Sequence, residues 1–254
     1  MMDSKFQTLG RLSNLSSNGR VSSGISGLDD MLNGGIPAGH IVVIIGDPGT
    51  GKTTTSLQFI FDGLSKGESG IFISIEEDRD SIISTAASFG WDLQQYIDSG
   101  KLEFIKLDLS DIRTLARRVK TELPELINGS RASRLVIDSI SLFNIMFDDS
   151  IENRVRLVDL NKAIKKSGIT ALYTSETNVN SPRHSKDGII EYSADGILFL
   201  QQSEIASDIR LNIRIIKMRR TMHDRLYRPY DITENGIIVY PMELVYAGND
   251  KYNM

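Results

Sequence analysis

The sequence predicts an α/β fold, in which a mostly parallel central sheet is flanked by helices and continues into antiparallel C-terminal strands. Apolar strand-like runs and helix-like segments alternate over most of the chain, which is typical of parallel strands joined by crossover helices. The C-terminal part instead alternates apolar and polar residues, which indicates antiparallel strands. With 254 residues and 40% hydrophobic content, the chain is long enough for one large core.

The predicted elements follow one another closely. A short helical face precedes the sheet, ends at Gly34–Gly35 and is formed by Ile25, Leu28, Met31 and Leu32. The predicted strands cover 41–46, 70–76, 102–107, 134–140, 169–175 and 196–201, and the predicted helices between them cover 52–66, 79–89, 113–123 and 151–166. The segments 208–220 and 227–241 are predicted antiparallel strands, with a turn at Glu234–Asn235–Gly236.

The two ends differ from the rest in composition. Residues 1–20 are rich in Ser, Asn and Gly and are expected to form a flexible arm, and 244–254 are expected to be a tail. The ordered domain is therefore expected to span 21–243. The sequence shows no secretory h-region and no run of about 20 apolar residues, so we expect a cytoplasmic protein without membrane insertion.

Composition also limits the chemistry. The absence of cysteine excludes disulfides and thiolate metal sites. A net charge of −4 argues against nonspecific nucleic-acid binding by the whole surface, although a local basic patch stays possible.

A glycine-rich loop carries the strongest functional signal. GDPGTGKT at 46–53 matches G-x-x-x-x-G-K-[ST], follows an apolar strand and opens a helix. In such a loop the glycines aim backbone N–H groups at phosphate oxygens, the lysine reaches the β- and γ-phosphates, and the hydroxyl ligates Mg²⁺. The alternative is a glycine-rich turn with a chance lysine. We predict that ATP and Mg²⁺ bind here, on Gly46, Asp47, Pro48, Gly49, Thr50, Gly51, Lys52, Thr53 and Thr54.

Acidic residues follow two of the predicted strands. Asp138 ends the apolar run RLVID, where a carboxylate would hold the magnesium shell together with Thr53; the alternative is a cap for the next segment. Glu76 and Glu77 end the second strand, where a carboxylate could polarise an attacking water. The residues alone leave open whether these two glutamates merely favour the positive end of the following helix.

Five segments in this order carry a family resemblance: GISGLDDMLNGGIPAGHIVVIIGDPGTGKTTTSLQFI, SIEED, SFGW, LVIDSI and KMRRTMHD. Over residues 21–243 the chain resembles a single KaiC-type domain of the RecA superfamily. The resemblance implies a homo-oligomer, a hexameric ring, with ATP between neighbouring subunits. It also implies that Glu76 and Glu77 are the catalytic pair, acting with Lys52.

The resemblance implies further nucleotide contacts. Ser88 matches a residue near the nucleotide, and Glu234 stands where a related unit has an Asp near the ribose or adenine. A segment expected to reach the neighbour's nucleotide comprises Lys217, Met218, Arg219, Thr221 and His223. Arg220 departs from the family, in which Gly commonly stands at this position. Glu191 and Tyr192 occupy the positions that other members autophosphorylate, which disfavours autokinase activity.

Seven Lys or Arg residues lie between 210 and 228. They fit a solvated sheet edge, a nucleic-acid patch, or a cation supplied to a neighbour's γ-phosphate, and the last interpretation is favoured. Tyr227 is the one aromatic residue among them, which argues against a stacking surface for single-stranded nucleic acid. The segment 178–188 is predicted to be a mobile loop, facing either a ring pore or plain solvent.

These observations together predict a ring-forming, Mg-dependent ATPase whose nucleotide state controls an unidentified regulatory protein partner. Two other functions stay open. One is a noncatalytic ATP-sensing assembly scaffold, and the other is a DNA-handling paralogue of the RecA/RadA type, against which the net acidity argues.

Overall fold

The structure, a computed structural model, describes residues 19–108, 110, 112–142, 150–178, 181–186, 188, 190–205 and 208–245. The strands are β1 Arg20–Val21, β2 Ile36–Pro37, β3 Ile41–Gly46, β4 Gly70–Ser74, β5 Leu102–Lys106, β6 Arg134–Asp138, β7 Thr170–Asn178, β8 Ser181–Ser185, β9 Gly196–Ile205, β10 Asp208–Met218, β11 Arg228–Thr233 and β12 Gly236–Val239. The helices are α1 Leu28–Met31, α2 Lys52–Ser65, α3 Arg79–Ser88, α4 Gln94–Asp98, α5 Ile112–Arg117, α6 Leu123–Gly129, α7 Ser150–Ser167 and α8 Ile190–Ser193, with a π-helical turn at Arg118–Glu122 between α5 and α6.

The main sheet has the strand order β12-β11-β10-β9-β3-β7-β6-β4-β5. The pairs from β9 through β3, β7, β6 and β4 to β5 are parallel, whereas β9-β10, β10-β11 and β11-β12 are antiparallel. The predicted fold class is therefore confirmed.

The central strand β3 explains why its sequence is apolar throughout. Ile41, Val43 and Ile45 pack into the core on one face of the sheet, and Val42 and Ile44 pack into the core on the other face. A parallel strand covered on both faces loses the alternation of a half-exposed strand. Because both neighbours of β3 run parallel to it, the loops that follow these strands meet at one edge of the sheet.

Several elements differ from the prediction. The N-terminal helical face is a single turn, and the second predicted strand ends at Ser74, so the glutamates lie in a loop. The predicted helix 113–123 is part of a longer helical segment interrupted by the π-helical turn. The expected loop 178–188 contains β8, which pairs with β7, while 179, 180, 187 and 189 lie outside the described residues.

The predicted arm and tail lie mostly outside the described residues. Arg20, which the prediction placed in the arm, pairs with Pro37 in the small β1-β2 sheet. Over the residues that the structure describes, no helix is both long and apolar enough to cross a membrane.

Candidate functional site

The glycine-rich loop leaves β3 and turns directly into α2. Gly49 and Gly51 have φ angles of 82° and 80°, in the left-handed region that favours glycine. A Cβ on Gly46 would lie 2.6 Å from the Thr50 hydroxyl, so the loop closes tightly only without a side chain there. The hydroxyl of Tyr230 donates to the Thr50 carbonyl oxygen at 2.5 Å and ties the loop to β11.

Lys52 lies folded over this loop. Its Nζ donates to the carbonyl oxygens of Gly46 and Asp47, at 2.9 and 3.0 Å. Burial lowers the pKa of Lys52, and the nearby carboxylates, of which Asp138 contributes most, partly oppose that shift. Phosphate oxygens bear charge and accept stronger hydrogen bonds from an ammonium than carbonyls do, so this lysine is suited to bind an anion.

Asp138 ends β6 and is 8% exposed. Burial raises the pKa of Asp138, and hydrogen bonds from the hydroxyls of Thr174 and Thr53 oppose the rise. A carboxylate and a hydroxyl side by side beside a phosphate loop are oxygen donors of the kind that Mg²⁺ prefers. The donors present therefore fit the predicted metal.

The two glutamates have different environments. Glu76 is exposed and lines the cavity described below, whereas the half-buried Glu77 accepts a hydrogen bond from Ser81 at 2.5 Å. Ser81 lies in the first turn of α3. The sequence predicted Glu76 and Glu77 as one catalytic pair, but in the structure Glu76 lines the cavity and Glu77 bonds to helix α3.

A cavity of about 290 Å³ lies at the carboxyl edge of the sheet. This volume is near the lower end of the roughly 300–1,000 Å³ of small-molecule sites. The lining residues that the sequence predicted are Pro48, Gly49, Gly51, Lys52, Thr53, Glu76 and Asp138.

Two further residues line this cavity, Ser139 and Glu176. Glu176 pairs with Gly46 across β3 and β7, and its carboxylate forms an ion pair with Lys186 at 2.8 Å. Sequence reasoning did not find Ser139, and it named Glu176, at the end of the predicted strand 169–175, only as the next candidate base should Glu76 and Glu77 not serve. The only signal in the sequence was their position at or just after the end of an apolar strand. The pairing of the strands in the sheet is what brings these positions together at the cavity.

The KMRR segment, residues 217–220, lies at the edge of the sheet where the parallel strands begin, opposite the carboxyl edge that holds the cavity. Met218 pairs with Gly196, which pairs with Val42 near the start of β3, whereas Gly46 pairs with Leu200. The four residue steps from Val42 to Gly46 correspond to about 13 Å of strand. Within one subunit, the described residues therefore place this segment away from the phosphate loop.

Local contacts hold most of the predicted nucleotide-contacting side chains between 217 and 223. Lys217 Nζ donates to the carbonyl oxygens of Glu191 and Ala194, at 2.9 and 2.7 Å, and burial lowers the pKa of Lys217. Arg219 lies 3.3 Å from the Asp195 carboxylate, and Met218 is buried. The remaining contacts are Arg20 Nη2 to the Thr221 hydroxyl at 2.6 Å, and His223 Nδ1 with the Asp224 carbonyl oxygen at 3.0 Å.

Ser88 and Glu234 are both exposed on the surface of the subunit. The Ser88 hydroxyl donates to the Thr85 carbonyl oxygen of its own helix at 2.7 Å, and Glu234 lies in the turn between β11 and β12. Among the described residues, the ones that line the cavity do not include these two.

Arg220 has a φ of 60°, a backbone conformation that accounts for the glycine that the family commonly has at this position. A left-handed backbone favours glycine, so the arginine here is in a strained conformation. Glu191 and Tyr192 occupy the positions that other family members are expected to phosphorylate. Glu191 accepts hydrogen bonds from Ser185 N and Oγ, at 2.5 and 2.6 Å, while Tyr192 is exposed.

The parallel sheet, the phosphate loop and the carboxylates at its edge define a P-loop nucleotide-binding domain of the RecA type. The family model described as "ATPase: KaiC" matches residues 21–244, and the chain belongs to this family of KaiC ATPases. Membership of an ATPase family implies that the domain binds nucleotide.

Relatives match nearly the whole chain. A UPF0273 protein of Pyrococcus horikoshii is 32% identical over 90% of this chain and 97% of its own length. The circadian clock oscillator protein KaiC of Parathermosynechococcus lividus is 33% identical over 88% of this chain and 42% of that protein. The crystal structure of a KaiC-like protein from Pyrococcus horikoshii superposes with a TM-score of 0.77, at 34% identity, over 87% of this chain and 99% of that one.

Proposed function

We propose that this protein is a Mg²⁺-dependent ATPase that hydrolyses ATP to ADP and phosphate. The observation that carries the proposal is that the phosphate loop, Lys52, Asp138 and Glu76 line one and the same cavity at the carboxyl edge of the sheet. Its lining combines the half-buried cation of Lys52, the oxygen donors Thr53 and Asp138 that suit a metal ion, and the exposed acid Glu76.

Each group has a separate task in this proposal. Lys52 leaves its loop carbonyls to bind the β- and γ-phosphates, and Thr53 with Asp138 holds the Mg²⁺. Bound Mg²⁺ supplies charge neutralisation on the phosphate oxygens. Glu76 accepts a hydrogen bond from the attacking water and orients it, which affects the chemical step more than ground-state binding.

The exposed position of Glu76 favours hydrolysis over a noncatalytic scaffold. A scaffold needs the loop, the lysine and the metal donors, but it has no use for an acid on the open side of the same cavity. Glu77, held by Ser81, is proposed to support the loop rather than to face the water.

Glu76→Gln tests the hydrolytic proposal. We expect phosphate release to fall by about 10²–10⁴-fold while ATP affinity is retained, because the amide keeps the shape and loses the base. Glu77→Gln should lose less activity, and Glu103→Gln, an exposed change on the adjacent strand β5, should leave turnover unchanged.

The measurements are steady-state phosphate release and calorimetric ATP binding on all three variants. Full turnover in Glu76→Gln would assign the base elsewhere, and Glu176 would then be the next group to replace. A wild-type protein that binds ATP without releasing phosphate would leave the scaffold function standing instead.

We also propose that the complete site lies between subunits of a ring of six copies. The observation in support is the separation of Lys217 and Arg219 from their own phosphate loop by about 13 Å of strand. In such a ring, the edge of one copy that carries Lys217 and Arg219 lies against the carboxyl edge of the next copy. These cations then reach the γ-phosphate of the ATP bound to that next copy. Thr221 and His223 are proposed to join the same contact with the neighbour's nucleotide. Ser88 and Glu234 stay predicted nucleotide contacts.

The nucleotide state of the ring is proposed to control a protein partner.

A further inference from the structure

The backbone that carries the two glutamates is held from the side by β5. Lys106 Nζ donates to the carbonyl oxygens of Ile75 and Glu76, at 2.8 and 3.0 Å. The Ser74 hydroxyl donates to the Glu77 carbonyl oxygen. Side chains therefore capture three successive carbonyl groups in the loop between β4 and α3.

The strand register explains how two side chains reach the same loop. Ser74 and Lys106 are direct partners in the parallel β4-β5 pair, so both side chains leave the same face of the sheet. They are also the last residues of their strands. The lysine's four-carbon stem then spans from β5 to the carbonyls beyond the end of β4.

The same loop is tied on its other side to the metal carboxylate's strand. The Ile75 N–H donates to the Asp138 carbonyl oxygen at 2.8 Å. The loop is thus anchored between β6, which presents Asp138, and β5, which presents Lys106. An ammonium on two carbonyl oxygens is the charged and therefore stronger of the two side-chain anchors.

We propose that Lys106 is a positioning residue that fixes the Glu76 carboxylate over the cavity and thereby sets the rate of ATP hydrolysis. The inference rests on the proposed hydrolytic function of Glu76. Water activation needs a carboxylate held within a few tenths of an ångström, and a loop between a strand and a helix does not provide this without an anchor. The lysine acts through the loop backbone, since Lys106 is not among the described residues that line the cavity.

Lys106→Met tests the inference, because methionine retains the apolar stem and removes the ammonium. We expect kcat to fall about tenfold with KM and ATP affinity within twofold of wild type. Lys106→Arg, which restores a cationic donor, should recover most of kcat. Lys101→Met is the matched control, because it removes the same charge next to the opposite end of β5.

A second readout does not depend on turnover. Amide hydrogen exchange of residues 75–78 should speed up several-fold in Lys106→Met and stay at the wild-type rate in Lys101→Met. Unchanged exchange, an unchanged kcat, or an equal loss of kcat in the Lys101 control would each overturn the role of Lys106. Failure of the hydrolytic proposal itself is recognised separately, by the Glu76→Gln variant retaining full turnover.

Discussion

At the scale of single residues, Lys52 shows how the phosphate loop holds its own cation. Its ammonium lies on the carbonyl oxygens of its own loop, and burial has already lowered its pKa. The contacts that Lys52 makes are therefore local and exchangeable. Removing them should affect the bound phosphates much more than the fold.

Lys52→Ala should lower ATP affinity by about 100-fold or more, because it removes charged hydrogen bonds to the phosphates. Thr53→Ala should have a milder effect, seen as weaker binding in the presence of Mg²⁺. Isothermal titration calorimetry measures both. Lys66→Ala is the control, since the exposed Lys66 follows the other end of α2 and pairs with Asp62 of the same helix. Unchanged affinity in Lys52→Ala contradicts the assignment of the phosphate loop.

At the scale of elements, Arg134 joins β6 to α2 and to the N-terminal segment. It is 1% exposed and donates to both carboxylate oxygens of Glu68, at 2.9 Å each, and to the carbonyl oxygens of Phe59 and Ser22. A Cβ on Gly63 would lie 2.3 Å from Arg134 Nε, so the glycine in the last turn of α2 makes room for this guanidinium. A buried charge of this kind depends on its acidic partners, which are Glu68 and, at 3.1 Å, Asp62.

The titration of Glu68 leads to a prediction of how the stability of the fold depends on pH. Burial alone would raise the pKa of Glu68, but the hydrogen bond and charge of Arg134 outweigh burial and hold the pKa below its ordinary value of 4.5. A carboxyl group whose pKa is lower in the folded protein stabilises the fold fully above the unfolded pKa. That stabilisation is lost as the pH falls through the folded pKa.

Glu68→Gln should therefore lower the free energy of unfolding by about 1.5–3 kcal/mol at pH 7, with the difference from wild type shrinking as the pH falls below 4.5. Urea unfolding at a series of pH values between 7 and 3.5 measures the difference. Glu103→Gln, at an exposed position, should show no such trend. A difference that stays constant with pH would show that Glu68 does not act through its charge.

At the scale of the whole molecule, the two edges of the sheet have complementary groups. The carboxyl edge holds the phosphate loop and the acids, and the other edge holds Lys217 and Arg219. In a closed head-to-tail ring every copy uses both edges, each toward a different neighbour. Hydrolysis in such a ring requires assembly, and ATP at the interface favours assembly by mass action.

Mixing two inactive variants tests the shared site. Lys52→Ala lacks the phosphate contact and Lys217→Ala lacks the cation for the neighbour, so each ring alone should be inactive. In equal mixtures about a quarter of the interfaces pair an intact loop with an intact Lys217, and activity should return toward that fraction. Phosphate release measures it, and native mass spectrometry establishes that mixed rings form. Mixed rings without recovered activity would place the site within one subunit.

The sequence by itself determined the fold class, the phosphate loop and the placement of Asp138. These follow from local patterns: apolar runs too continuous for exposed strands, a glycine spacing that only a phosphate-binding turn requires, and an acid at the end of a buried strand. The same local logic failed where boundaries depend on neighbours. Ser74 ends its strand because the next residues turn toward β6 and β5, and the expected loop 178–188 pairs part of itself with β7.

Only the tertiary structure decided which side chains share an edge of the sheet. Glu76 and Glu77 are adjacent in sequence, yet one lines the cavity and the other bonds to α3. Lys106 and Glu176 carry no motif, and sheet register alone brings them to the site. The physical reason is that a motif records contacts within a few residues, whereas strand pairing sets distances between residues far apart in the chain.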